Sequence, residues 1–243
     1  MLNTSGLRPG KHLSHLKLYQ IAELLQKHPA IHKADIRVKF PDEIHFFIKE
    51  YQPIALLQIP KSDSTINQDY YSINDYYLVG EDQRLIKKMS FNQILNANYD
   101  KLPLISGLRA KSLQMGICLN SPVLERGLGF LEILNKITIN LEKTETENLY
   151  DNQYKLVNFN SNNIHIDVSD PLNLKIRWPA NTSTFKKGPT KLFHKFPLTI
   201  QMGSRNFDKR LTTLQNIYPV LYKQHPGLKS IDLRYKNRVL LTL

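Results

Sequence analysis

Within residues 11–31 the apolar positions Leu18, Ile21 and Leu25, with Leu24 beside them, recur at the three- and four-residue steps of a helix. The spacing predicts an amphipathic helix, with Ser14 as a candidate N-cap and Pro29 as its stop. The period then drops to two. Ala34, Ile36 and Val38 alternate with Asp35, Arg37 and Lys39, a turn follows at Pro41 and Asp42, and Ile44, Phe46 and Ile48 alternate again. A helix followed by a hairpin makes a small α+β unit.

From Gln58 to Tyr76 the chain turns polar, crowded with Ser, Asp and Asn, and is expected to be a loop or linker. YYLV and RLI then flank the turn residues Gly80, Glu81 and Asp82 as a second hairpin. Leu124, Leu128, Leu131 and Leu134 restore the helical step. Beyond Tyr154 short strands are expected, interrupted by the loop WPANTSTFKKGPTK. A last helical stripe runs through Phe207, Leu211, Leu214, Ile217 and Leu221, with Pro219 expected to bend it and Pro226-Gly227 to end it. The closing stretch IDLRYKNRVLLTL reads as one long strand. Ile231, Leu233, Tyr235, Asn237, Val239, Leu241 and Leu243 lie on one face, and Asp232, Arg234, Lys236, Arg238, Leu240 and Thr242 on the other. The fold class predicted is therefore α+β.

Composition narrows the function classes. The chain has 243 residues with 41% hydrophobic content, enough for packed cores, and no apolar run approaches the roughly 20 residues that span a bilayer. No secretion-signal core is visible near the start, and the lone Cys118 leaves the redox compartment open. The net charge is +12, but from Ile164 onward 14 Lys and Arg stand against 4 Asp and Glu, so the basicity is regional.

A search for chemistry finds no phosphate-cradling glycine loop, no serine elbow and no helix with paired metal-binding spacing, so no enzyme, cofactor or metal is expected. His12, His15, His28 and His32 fall close together, yet lysines surround them and no carboxylate accompanies them; surface histidines are the expectation. The basic final third could meet nucleic acid, with Tyr218, Tyr222 and Tyr235 as candidate stackers. Their places on apolar stripes favour core packing, and the cluster Lys186, Lys187 and Lys191 reads as a solvated loop.

Three stretches, in order, carry a resemblance. GLRPGKHLSHLKLYQIAELLQKHPAIHKADIRVKFPDEIHFFIKEYQPIALL supplies Pro29, Ile31, Ala34, Pro41, Glu50, Pro53, Ile54 and Ala55; YYLVGEDQRLI is followed by LPLISG; and the helix FDKRLTTLQNIYPVLYK leads to SIDLRYKNRVLLTL. Together they cover well over half the chain and resemble the FtsQ/DivIB family of bacterial cell-division proteins, with DLRY the most telling string. The resemblance implies a partial POTRA-like domain at 1–58, a linker at 59–76, and a mainly antiparallel β-domain with flanking helices and an edge strand at 77–243. The family's cytoplasmic tail, membrane helix and opening POTRA strand and helix have no counterpart here, so Met1 is expected to be an internal start.

What the resemblance implies in function is a non-catalytic scaffold at the septum, held in the cell inner membrane by an anchor with this region periplasmic. It would bind FtsB/DivIC-type and FtsL-type proteins by strand addition and link them to septal peptidoglycan synthesis. The DLRY match carries Arg234 and Tyr235 to the partner surface, and the adjoining Lys236, Asn237 and Arg238 follow by proximity. The alternative is a basic nucleic-acid-binding protein of the cytoplasm; a POTRA-bearing outer-membrane assembly module ranks third, since the chain shows neither a barrel nor repeated POTRA units.

Overall fold

The computed structural model describes residues 17–60, 74–110, 113–147, 163–178, 197–225, 227–236 and 238–243. The first unit is α1 (Leu18–Gln26) over a hairpin of β1 (Ile31–Lys39) and β2 (Glu43–Glu50). Register explains its core: Ala34 faces Ile48, Ile36 faces Phe46 and Val38 faces Ile44, so one face of the hairpin is apolar. Ile21 and Leu25 of α1 pack onto it, burying Ile31, Ala34 and Ile36. Each buried Ile or Leu side chain among them contributes about 1.5–3 kcal/mol relative to exposure. The candidate cap Ser14, and with it His12 and His15, lies outside the described residues.

The remaining nine strands form one twisted sheet in the order β11-β10-β9-β8-β7-β6-β3-β4-β5. In chain order these are β3 (Ala55–Pro60), β4 (Asn74–Val79), β5 (Leu85–Met89), β6 (Leu104–Ser106), β7 (His165–Asp170), β8 (Asn173–Trp178), β9 (Leu198–Gly203), β10 (Ser230–Asp232) and β11 (Leu240–Thr242). Five of the eight neighbouring pairs are antiparallel, and β3–β6, β6–β7 and β9–β10 are parallel. Parallel neighbours need long crossovers. Helix α3 (Pro122–Glu147) lies on the connection from β6 to β7, and α4 (Phe207–Gln224) on that from β9 to β10.

Both helices lie on one face of this sheet. Leu124, Leu128, Leu131 and Leu134 of α3, and Phe207, Leu211, Leu214 and Tyr218 of α4, share a core with Ile166, Val168, Ile176, Ile200, Met202 and Ile231 from the strands. Phe130 and Phe207 meet edge to face across the helices, their centroids 5.6 Å apart. The opposite face is apolar only toward β3–β5, where Leu56, Leu78, Ile86 and Met89 lie beneath Ile94 of the short helix α2 (Phe91–Asn96). That two-sided burial is why β3 reads as a continuous apolar run while β7, β8 and β9 alternate.

The α+β class holds, and two finer expectations change. The first concerns the segment 59–76, expected as a linker. Ile59 pairs with Asp75 and Pro60 with Asn74, so this segment joins two neighbouring strands of one sheet. The strand containing Ala55 to Gln58 likewise belongs to the large sheet, and the small unit gives way to it at Tyr51 to Ile54. Alternation ends at both strands' polar sides, but local composition cannot tell a turn between sheet neighbours from a turn between domains. The second concerns the single closing strand. It is a hairpin: Ser230 pairs with Thr242, Ile231 with Leu241 and Asp232 with Leu240, all antiparallel. Period-two alternation continues through the connecting residues, which is why the sequence pattern does not reveal the reversal.

Candidate functional site

Of the residues expected at a partner surface, Arg234, Tyr235, Lys236 and Arg238 therefore lie on the connection between β10 and β11 rather than along a strand; Asn237 lies outside the described residues. What reverses the chain here is Asp232. Its carboxylate accepts the Arg234 backbone N–H at 3.0 Å, the closed local loop typical of aspartate in turns. It also accepts the Arg234 guanidinium, through Nε at 3.0 Å and Nη2 at 2.7 Å. Burial alone would raise the Asp232 pKa; the bonds from Arg234 and the nearby Arg210 outweigh it and hold the carboxyl below its ordinary range. The hydrogen bond to Asp232 holds Arg234 above its ordinary value, against slight burial.

Arg210, from the first turn of α4, ties the same loop to β9. Its guanidinium donates to the Met202 carbonyl through Nη1 and to the Arg234 carbonyl through Nη2, the latter at 3.2 Å. Space for it exists because Gly203, at φ +68°, has no Cβ; a methyl group there would run into Arg210 Nη1. Gly203 is fixed in turn by the buried Asn173, whose Oδ1 accepts its N–H and whose Nδ2 donates to Gln201 at 3.1 Å. Asn173, Gly203 and Arg210 were not legible as site residues in the sequence. The only signal is the motif MGSRNFDKRL, which places a glycine and an arginine around a helix start.

The result is a cleft of about 640 Å³ between α4 and the β10–β11 connection. Five cations line it, Lys209 and Arg210 from the helix and Arg234, Lys236 and Arg238 from the connection. Arg238 stacks over the Tyr235 ring, 4.5 Å from its centroid, while the ring stays 40% exposed. Tyr218, a candidate base stacker, is buried against the helices' common core, and the Tyr222 side chain lies outside what is described, as do Lys186, Lys187 and Lys191.

Beside the cleft runs the free edge of β11, which has β10 as its one neighbour among the described strands. Which backbone groups it offers follows from the ladder. Thr199 donates to the Lys229 carbonyl and Leu233 to the Gln201 carbonyl, so Ile231 and Leu233 point their main chain at β9, while the Lys229 N–H donates to the Thr242 carbonyl of β11 at 2.8 Å. Ser230 and Asp232 then point theirs at β11, where their partners Thr242 and Leu240 face back. Leu241 is left with its N–H and C=O on the open side. Leu240 and Leu243 stand 44% and 61% exposed at this edge.

A second polar grouping went unread in the sequence because its members are 59 residues apart: Ser106 Oγ lies 2.6 Å from His165 Nε2 across the β6–β7 pair. Burial, then Arg177, holds the His165 pKa below its ordinary value. The nearby Asp167 carboxylate, whose charge acts on His165, accepts the Ser169 N–H at 3.0 Å. His28 and His32 do not converge: His28 Nδ1 accepts the Ala30 N–H and His32 packs on Tyr51. Among the described residues no three metal-ligating side chains gather, and none of the helices is long and apolar enough to cross a membrane. Compared with known proteins, the chain matches no family model and no curated protein.

Proposed function

We propose that this chain is a non-catalytic scaffold of bacterial cell division, of the FtsQ/DivIB kind, that binds FtsB/DivIC-type and FtsL-type partners by strand addition to β11. In this reading the α1–β1–β2 unit is the later part of a POTRA domain, an inner-membrane anchor precedes it, and the region is periplasmic at the septum, linking its partners to septal peptidoglycan synthesis. The observation that carries the reading is the open edge of β11, with the Leu241 main chain turned outward by its register with Ile231, Leu240 and Leu243 exposed, and Arg234, Tyr235, Lys236 and Arg238 on the adjoining connection. An added strand gains affinity from main-chain bonds and register from the flanking side chains. The basic connection favours an acidic partner segment, acting chiefly on encounter rate and specificity.

The test is calorimetric titration with peptides from the extracytoplasmic ends of FtsB/DivIC-type proteins of the same genome. Submicromolar binding is expected. Leu241→Pro removes the outward N–H from an edge where proline is otherwise tolerated, and should weaken binding at least about tenfold, roughly 1.4 kcal/mol. Leu241→Ala removes the same side chain but keeps the N–H and should bind almost as the parent does, and Arg238→Glu should fall between. Equal losses in the proline and alanine variants would remove the strand-addition mechanism. Absence of peptide binding, with salt-sensitive binding to random RNA instead, would favour the nucleic-acid reading.

A further inference from the structure

Of the five cations of the cleft, Arg234 and Arg210 share the charge of Asp232, and the other three are poorly compensated. Asp232 is committed to Arg234 by its side-chain bonds, and Asp208, on the same helix turn as Lys209, lines the neighbouring groove against α3 instead. No carboxylate lines the cleft itself. Among the described residues, Lys209, Lys236 and Arg238 have no acidic group within ion-pair distance. Arg210 sits half-buried with its hydrogen bonds spent on two carbonyls. Like charges drawn into one concavity raise each other's energy, and a concave wall of one sign concentrates counter-ions of the other.

We infer that this cleft is a binding site for a phosphate-bearing anion carrying at least two negative charges. Three features choose phosphate chemistry. The Lys209 and Lys236 ammonium groups and the Arg238 guanidinium converge from two elements on one space, which suits several oxygens on one centre better than a single carboxylate. At about 640 Å³ the space lies within the range of small-ligand sites, roughly 300–1,000 Å³. Tyr235 has one face taken by Arg238, so that face is closed to a stacked base. A free diphosphate and an anionic lipid headgroup present the same oxygens. The inference does not rest on strand addition, because the cleft is walled by α4 and the connection, not by the outward edge of β11.

Inorganic pyrophosphate is the first probe, titrated into the full chain at low salt and followed by calorimetry and amide chemical shifts. Saturable submillimolar binding is expected, with shifts centred on Asn206 to Thr213 and on Leu233 to Arg238. Lys209→Glu and Lys236→Glu should each weaken it about tenfold or more, whereas Lys87→Glu, the same charge change on exposed β5 at the far end of the sheet, should leave it unaltered. Vesicles containing phosphatidylglycerol form the second arm. Vesicle binding lost in the two cleft variants assigns the headgroup as source, and pyrophosphate binding without vesicle binding assigns a free anion. Absence of saturable binding to either probe, or an equal loss in Lys87→Glu, overturns the site.

Discussion

A carboxylate only 9% exposed at the end of β10 would be a liability without Arg234, which supplies its side chain and its own backbone N–H to the same group. The sign of the resulting pH dependence is fixed. The folded-state pKa of Asp232 is depressed below its ordinary value of 3.8, so its contribution is complete above that value and is lost as pH falls through the folded pKa. Melting temperature should therefore drop more steeply below about pH 4 in the parent than in Asp232→Asn, and thermal scans from pH 6 to pH 2 would check it. Two glycines allow a sharper comparison. Gly107, at φ +95°, would place a Cβ 2.8 Å from the Ser169 Cα, so the obstacle is backbone; at Gly203, with φ +68°, the obstacle is the tip of an anchored arginine. Both alanine variants should be destabilised, by about 1–3 kcal/mol for the left-handed conformation alone. Gly107→Ala should melt lower, and Gly203→Ala should additionally loosen the β10–β11 connection in hydrogen exchange; the reverse order of melting would contradict this account.

At the scale of elements, α2 shows how a short helix is held in place. Ser90 Oγ accepts the Gln93 N–H while the Gln93 side chain accepts the Ser90 N–H, a reciprocal cap on six residues that together bury Ile94 over the β3–β5 face. Ser90→Ala should cost about 1 kcal/mol, lowering the melting temperature by roughly 2–4 °C in a chain of this size, with faster exchange at the Ile94 amide; unchanged exchange would show that packing alone holds α2. Where one period rules a whole element, the sequence was legible. The stripes through Leu124 to Leu134 and through Phe207 to Leu221 became α3 and α4 with the stripe inward, and the first two hairpins formed where alternation breaks at Pro41-Asp42 and at Gly80 to Asp82. The closing hairpin was illegible because its reversal depends on Asp232 binding Arg234 and on Arg210 reaching across from α4, neither of which disturbs alternation. The cleft was hidden the same way: Arg234, Lys236 and Arg238 were expected along one face of a single strand, whereas their convergence with Lys209 and Arg210 depends on a crossover. Placing β6 between β3 and β7 likewise joins residues near 56, 104 and 165, a pairing that no local pattern encodes.

For the whole molecule, the question is whether the small α1–β1–β2 unit moves freely or is braced on the large sheet. Several contacts brace it. The Tyr51 N–H donates to the Ala30 carbonyl at 2.9 Å, closing the unit's base, and Ala30 and Tyr51 both pack on the apolar cluster of β3–β5. The Arg84 guanidinium sits 4.8 Å from the Tyr51 ring centroid while donating to the Gly116 carbonyl, and a Cβ on Gly116 would lie 3.5 Å from Pro29. Asp82, bonded to Arg84 at 3.2 Å, keeps the guanidinium aimed. One side chain thus joins the β4–β5 turn, the segment before α3 and the foot of the small unit. A desolvated cation–ring contact contributes about 0.5–2 kcal/mol and a hydrogen bond to a charged donor about 1.5–3 kcal/mol, so Arg84→Ala should destabilise the brace by about 2 kcal/mol. Because β1, β2 and α1 keep their own core, formed by Ile21, Leu25 and Ile36, the loss should be local. Amide exchange should rise at Tyr51 and across Ala30 to Ile31 while the amides of β7 to β9 stay protected, and Arg84→Lys, which keeps the charge but not the planar stack, should recover only part of the protection. Uniform acceleration across the sheet would instead mean that Arg84 supports the whole fold rather than a local brace.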